Sequence, residues 1–149
     1  MSTDQTDDQA RRAALHTLDR LIGSWAVDGP DTSGTVSYTW FDNEAFLVQT
    51  IDLRASDATV TRGVEYIGWD RASRTLRSHF FGNSGEILEY TYDLTGDTLT
   101  IWFGTPDSPA RFVGTFDSTG NRNLGGWEWP GGGYESNMTR IPEGARLDQ

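Results

Sequence analysis

The chain has 149 residues, 22 acidic and 12 basic, and a formal net charge of -10 at neutral pH. That charge repels nucleic-acid phosphates and anionic membrane surfaces, so we expect neither as a partner. Cysteine is absent, which excludes disulfides, a thiolate nucleophile and cysteine-ligated metal, and the length is that of about one domain.

The N-terminal part of the chain predicts one helix. Residues 1–8 are polar and acidic, which predicts a flexible terminus without the apolar segment of a signal peptide. From about Asp8 to Ile22, apolar residues recur at three- and four-residue spacing, which is typical of an amphipathic helix that Asp7 or Asp8 caps and Gly23 ends. No stretch is apolar over the roughly 18 residues that a membrane span needs. The sequence therefore predicts a soluble, cytoplasmic protein.

The rest of the chain reads as short strands rich in Thr, Val, Tyr, Trp and Phe. Clusters of turn-forming residues separate them: DGPDTSG, DNE, RASDAT, DRAS, GNSG, TGD, GTPDSP, DSTGN and PGGG. About nine such turns divide the chain into about ten strands. No second helix is long enough for a crossover between parallel strands, so the pattern predicts an antiparallel meander.

Closure of this meander into an up-and-down β-barrel would remove both exposed sheet edges and enclose a cavity large enough for a ligand. We favour the barrel over a two-sheet sandwich, because sandwiches usually need longer Greek-key connections. The predicted fold is all-β, with one N-terminal capping helix and an up-and-down barrel over residues 9–141. Residues 142–149 are predicted to be a polar C-terminal tail.

Two side chains from opposite ends of the chain are predicted to latch this barrel shut. Trp25 follows Gly23 at the start of the first strand, and Arg140 lies on the last strand, which closure places beside the first. A guanidinium stacked on an indole stabilises a fold by about 0.5–2 kcal/mol. We therefore predict a structural latch of Gly23, Trp25 and Arg140 beneath the capping helix.

This Gly-x-Trp pattern with an arginine on the final strand resembles the calycin superfamily of lipocalins and fatty-acid-binding proteins. More narrowly, LDRLIGSW, YIGWD, HFFGNSGEILEYTYDLTGDTLTI, RFVGTF and YESNMTRI resemble the bacterial DUF1579 family of lipocalin-like proteins, over most of residues 15–141. The resemblance implies a capped barrel with an internal pocket and supplies no catalytic residues. The haem-binding nitrobindins are similar at the start, but Val27 replaces one of their glycines and no histidine follows His79, which disfavours haem.

Several polar and aromatic side chains are candidates for lining the cavity, because each alternates with apolar neighbours in a strand. Alternation leaves open which face of each strand points inward. The predicted ligand-binding residues are Gln49, Glu65, His79, Tyr90, Trp127 and Asn137. A histidine suits proton transfer at neutral pH, and His79 would have Glu89 or Tyr90 on the neighbouring strand as a partner, so His79 and Glu89 are the catalytic candidates if they point inward.

The aromatic content of 12% favours a flat-walled apolar pocket for a small hydrophobic or aromatic molecule. A completely filled interior is the alternative. We predict a binding protein, and whether it is also an enzyme is left open: a cofactor-independent cyclase, isomerase or decarboxylase would use an interior histidine or carboxylate. A haem-binding, nitrobindin-like protein is the weaker alternative. No metal site and no cofactor are predicted, and a homodimer is left open.

Overall fold

The computed structural model describes residues 3–143, with side chains from residue 6 onward. Helix α1 spans Thr3–His16, and a 3-10 turn, Thr17–Leu21, leads from it to the first strand. The ten strands are β1 Gly23–Asp28, β2 Thr32–Trp40, β3 Leu47–Ala55, β4 Val60–Asp70, β5 Thr75–Gly82, β6 Ile87–Thr95, β7 Thr98–Phe103, β8 Arg111–Phe116, β9 Arg122–Trp129 and β10 Gly132–Ile141. A second 3-10 turn, Asp42–Glu44, lies between β2 and β3.

These strands form one closed antiparallel barrel in which each strand pairs with the next and β10 pairs with β1. The turn clusters read from the sequence fall at the nine connections between strands. The prediction of an all-β, up-and-down barrel with one N-terminal helix is therefore confirmed. Within the described residues, no helix is both long and apolar enough to cross a membrane.

The start of the helix differs from the prediction. Residues 3–8, expected to be part of a flexible terminus, form the first turns of α1, so Asp7 and Asp8 lie inside the helix and do not cap it. Asp8 forms an ion pair with Arg11 one turn later, with 2.7 Å between Oδ1 and Nη2. Asp7 forms an ion pair at 2.7 Å with Arg71, in the connection between β4 and β5. Asp7 and Asp8, which the sequence placed in a flexible terminus, thus stabilise the helix and connect it to the barrel. Of the predicted tail, residues 144–149 lie outside the described residues.

The helix and the 3-10 turn close the end of the barrel where β1 begins and β10 ends, which we call the closed end. Leu15, Leu18 and Leu21 have no solvent-exposed surface, and neither has Trp25 at the start of β1. The Trp25 indole donates a hydrogen bond from Nε1 to the Leu21 carbonyl oxygen at 2.8 Å. Complete burial of each such apolar side chain stabilises the fold by about 1.5–3 kcal/mol, so the closed end is a packed hydrophobic core.

The predicted contact between Trp25 and Arg140 is present at this end. The Arg140 guanidinium carbon lies 4.2 Å from the centre of the Trp25 ring. The same guanidinium donates hydrogen bonds to the carbonyl oxygens of Ile22 and Arg20. Gly23 has a φ of +121°, which residues with a side chain rarely adopt. A Cβ at this position would also lie only 2.9 Å from Arg140 Nη1, so both the backbone conformation and the packing favour glycine. The last strand is therefore held to both the first strand and the end of the helical segment.

Candidate functional site

An internal cavity of about 610 Å³ occupies the half of the barrel away from α1. Its volume lies within the range of roughly 300–1,000 Å³ that is usual for small-molecule sites. Most of its wall is apolar or aromatic, and the wall reaches the barrel end opposite the helix. Its aromatic side chains include Phe80, Tyr90, Phe103, Phe112, Trp127 and Trp129.

The aromatic side of the wall is built from β6, β7, β8 and β9. The ring centres of Tyr90 and Trp127 lie 5.9 Å apart, as do those of Phe112 and Trp127. Phe103 meets Tyr90 edge to face at 5.6 Å. These rings support one another in fixed orientations and present apolar surfaces to the cavity, which suits a ring-containing or hydrocarbon ligand.

The inner end of the cavity carries four buried polar side chains. Tyr38 on β2 is directly opposite Gln49 on β3, which is directly opposite Glu65 on β4. We call these three residues the polar row. They retain only 3%, 8% and 4% of their exposable surface, respectively. Gln49 donates from Nε2 to the Tyr38 hydroxyl oxygen at 2.9 Å, and Tyr92 on β6 donates from its hydroxyl to Glu65 Oε2 at 2.6 Å.

Burial controls the protonation of these groups. It raises the pKa of Glu65, while the nearby hydroxyls of Tyr92 and Ser78 lower that pKa in part. No cationic side chain in residues 6–143 contributes to this balance. Burial, together with the neighbouring Glu65 carboxyl, also raises the pKa of Tyr38 and of Tyr92, which keeps both phenols protonated. These shifts all favour the protonated forms of Glu65, Tyr38 and Tyr92.

Five of the six predicted ligand-binding residues lie in the cavity wall: Gln49, Glu65, Tyr90, Trp127 and Asn137. The Asn137 amide is occupied by other contacts: it donates to Glu135 Oε2 at 2.6 Å and accepts a hydrogen bond from the Gly125 backbone N–H. It alternates with the inward-facing Met138, so its amide lies on the outer face of β10. That any of these residues binds a ligand stays a prediction.

His79 and Glu89, the catalytic candidates if they point inward, point outward instead. The buried residues of β5 include Ser78 and Phe80, so His79 between them points outward. Its side chain is 55% exposed and lies 3.4 Å from Glu89, measured from Nε2 to Oε1, on the outer surface. Both catalytic candidates are thus solvated and separated from the cavity by the sheet.

Two residues of the site, Tyr38 and Tyr92, escaped the sequence analysis. The alternation of inward and outward residues in β2 and in β6 allows each tyrosine to point inward. What was missing is the register, because six residues connect β2 to β3 and leave the partner of Gln49 undetermined from sequence. Pairing across strands and across the barrel interior brings the two tyrosines to Gln49 and Glu65.

The cavity offers no imidazole to haem iron, since neither histidine lines it. His16 lies on the helix, where it is 2.9 Å from Asp19 and also contacts Glu44. Among the described residues, no group of three or more His, Asp or Glu side chains could hold a metal ion. A haem bound in the cavity, as in the nitrobindin-like alternative, would therefore have no histidine from the cavity wall to ligate its iron.

A comparison with protein-family models found no match for the chain, and a comparison with curated proteins found no significant match.

Proposed function

We propose that the barrel binds a small, largely apolar or aromatic molecule that carries one polar group. A single observation supports this: the cavity of about 610 Å³ has an apolar wall and four buried polar side chains, Tyr38, Gln49, Glu65 and Tyr92, at its inner end. Apolar walls supply affinity, and a few placed polar groups orient a ligand. On the sequence motifs, we also propose that the chain is a cytoplasmic, bacterial member of the lipocalin-like DUF1579 proteins.

The test uses two tryptophan substitutions at neighbouring positions of β6. Leu88 lines the cavity, whereas Ile87 is 64% exposed on the outer surface. Leu88→Trp fills cavity space with an indole, and Ile87→Trp adds the same group outside. We expect Leu88→Trp to weaken binding of the neutral fluorescent probe 1-aminoanthracene at least tenfold and Ile87→Trp to change it less than twofold, measured by fluorescence titration.

Equal effects of the two substitutions, or no saturable binding by the wild type, would contradict a ligand-binding cavity. Circular dichroism of both variants checks that each retains its strands. Native mass spectrometry of the purified wild type adds a probe-free measurement, because a mass excess that denaturation removes would identify a molecule carried from the cell.

A second function, proton transfer on an enclosed substrate, is favoured by the position of Glu65. This carboxyl is buried, faces the cavity and has a raised pKa, which are properties of general acids and bases. Deuterium exchange at the acidic carbon of 2-tetralone in D₂O tests it by NMR. A proton-transfer site would accelerate exchange, and Glu65→Gln would abolish the acceleration while the outer-surface Glu89→Gln would not.

A further inference from the structure

We propose that the inner end of the cavity recognises a carbonyl group, with Tyr38 and Glu65 as its two hydrogen-bond donors. The inference rests on the proposed binding function and deepens it, because it assigns the chemical class of the ligand's polar group. Its ligand is an apolar ketone, aldehyde, ester or amide.

Strand register brings the two donors together. Tyr38, Gln49 and Glu65 occupy facing positions on three adjacent strands, and all three side chains line the cavity. Neighbouring strands lie about 4.7–4.9 Å apart, so the outer two members of the row flank the amide of the middle one. One small acceptor group in front of Gln49 is therefore within reach of both.

The Tyr38 hydroxyl has a hydrogen to donate. Its oxygen accepts the bond from Gln49 Nε2 at 2.9 Å, which leaves the single O–H of the phenol unused. Among the described side chains, no acceptor takes this proton. A buried donor without an acceptor is unfavourable, and a ligand oxygen in the cavity would satisfy it.

Glu65 supplies the second donor. Tyr92 donates to its Oε2, which leaves Oε1 as the oxygen that can carry the acid's proton toward a ligand. An ionised carboxylate at this position would be a buried charge with no cation beside it in the described part of the chain, which is the costlier state. Ser78, the other hydroxyl near Glu65, does not line the cavity.

A carbonyl oxygen fits this pair better than other polar groups. Its two lone pairs accept one hydrogen bond from each donor, whereas a hydrocarbon leaves both donors unsatisfied. An ammonium group would need Glu65 in its ionised form, which burial disfavours, and a carboxylate would bring a charge into a cavity whose described lining contains no Lys or Arg. Recognition by hydrogen bonds thus selects a neutral acceptor over an apolar isostere and over either charged group.

The test compares naphthalene derivatives of nearly equal shape: 2-acetylnaphthalene, 2-ethylnaphthalene, 2-(aminomethyl)naphthalene and 2-naphthoate. We expect the wild type to bind the ketone about tenfold more tightly than the hydrocarbon in calorimetric titrations. Tyr38→Phe and Glu65→Leu should each remove most of this preference, whereas Glu65→Gln retains an N–H donor and should keep it. Tyr66→Phe removes a phenol hydroxyl from the outer face of β4 and is the matched control.

The infrared carbonyl stretch of bound 2-acetylnaphthalene gives a readout that needs no variant. We expect it at a lower wavenumber than for the ketone in hexane, as two hydrogen bonds require. An unshifted stretch, equal affinity for ketone and hydrocarbon, or tightest binding of the amine or the acid would each overturn the inference while leaving the binding function intact. If none of the four compounds and no 1-aminoanthracene binds, the binding function itself fails.

Discussion

The two halves of the barrel interior differ, although the same ten strands build both. At the closed end, Leu15, Leu18 and Leu21 from the helical segment complete a core in which Trp25 has no exposed surface. In the other half no helical segment of residues 3–143 enters, and about 610 Å³ remains between the strands. Alternating strands alone therefore do not decide whether the interior of this barrel is filled or hollow. The helical segment, which enters the closed end from outside the sheet, fills that half.

The halves also differ in what their residues contribute. The closed end buries apolar surface and satisfies the arginine that closes the sheet, so it stabilises the fold. The polar row marks the border, where burial raises the pKa of Glu65 and of Tyr38 in spite of their hydrogen bonds with Tyr92 and Gln49. We therefore expect stability to come mainly from the closed end and, on the proposed function, binding from the cavity, and substitutions should separate the two.

The largest effect is expected from Trp25→Ala. It removes a fully buried indole and its hydrogen bond to Leu21, and should lower the free energy of unfolding by about 3–5 kcal/mol. Urea unfolding measures this. Trp129→Ala, at a 42% exposed tryptophan of the cavity wall, is the matched control and should cost less than half as much. Similar losses would contradict the assignment of stability to the closed end.

Arg140→Lys should have the next largest effect, about 1–3 kcal/mol of unfolding free energy. A lysine cannot stack on Trp25 as a planar guanidinium does or reach the carbonyl oxygens of Ile22 and Arg20 together. Arg111→Lys alters an exposed ion pair with Glu128 and should cost about 0.5 kcal/mol or less in the same urea titration. A lysine tolerated equally at both positions would show that the latch is not specific to arginine.

Glu65→Gln tests whether the buried carboxyl at the border between the halves keeps its proton when the protein folds. The folded-state pKa of Glu65 is raised, so the stability linked to its proton is full below the unfolded pKa near 4.3 and is lost as pH rises through the folded pKa. Glutamine cannot ionise. The variant should therefore gain stability relative to wild type between these two pKa values, by up to about 1.4 kcal/mol per pH unit.

Unfolding free energies from pH 4 to pH 9 measure the gain, with Glu89→Gln on the outer surface as the matched carboxyl. A difference between Glu65→Gln and wild type that stays flat with pH would show that the buried carboxyl does not retain its proton on folding.

The smallest effect is expected at His79. Its contact with Glu89 lies on the solvated face of β5, so His79→Ala should change the unfolding free energy by about 0.5 kcal/mol or less. Binding of 1-aminoanthracene should be unchanged, since the sheet separates the imidazole from the cavity. A tenfold loss of probe binding would instead assign His79 a role in the site.

The sequence by itself determined the elements and their order. Turn chemistry marks the nine connections, alternation marks the strands, and a change of hydrophobic period near Gly23 marks the end of the helical segment. Each signal depends on residues close in the chain, which is why reading them was enough to predict a closed antiparallel barrel with a capping helix. The latch was also predictable, because closure requires Trp25 and Arg140 to lie on neighbouring strands.

Only the tertiary structure decided which faces point inward and which side chains meet. A shift of one residue exchanges the two faces of a strand, and in β5 that choice separates Ser78 and Phe80 inside from His79 outside. The contact of Tyr92 with Glu65 joins residues 27 positions apart on strands that are not neighbours. Such contacts depend on strand register, which no local pattern in the sequence encodes.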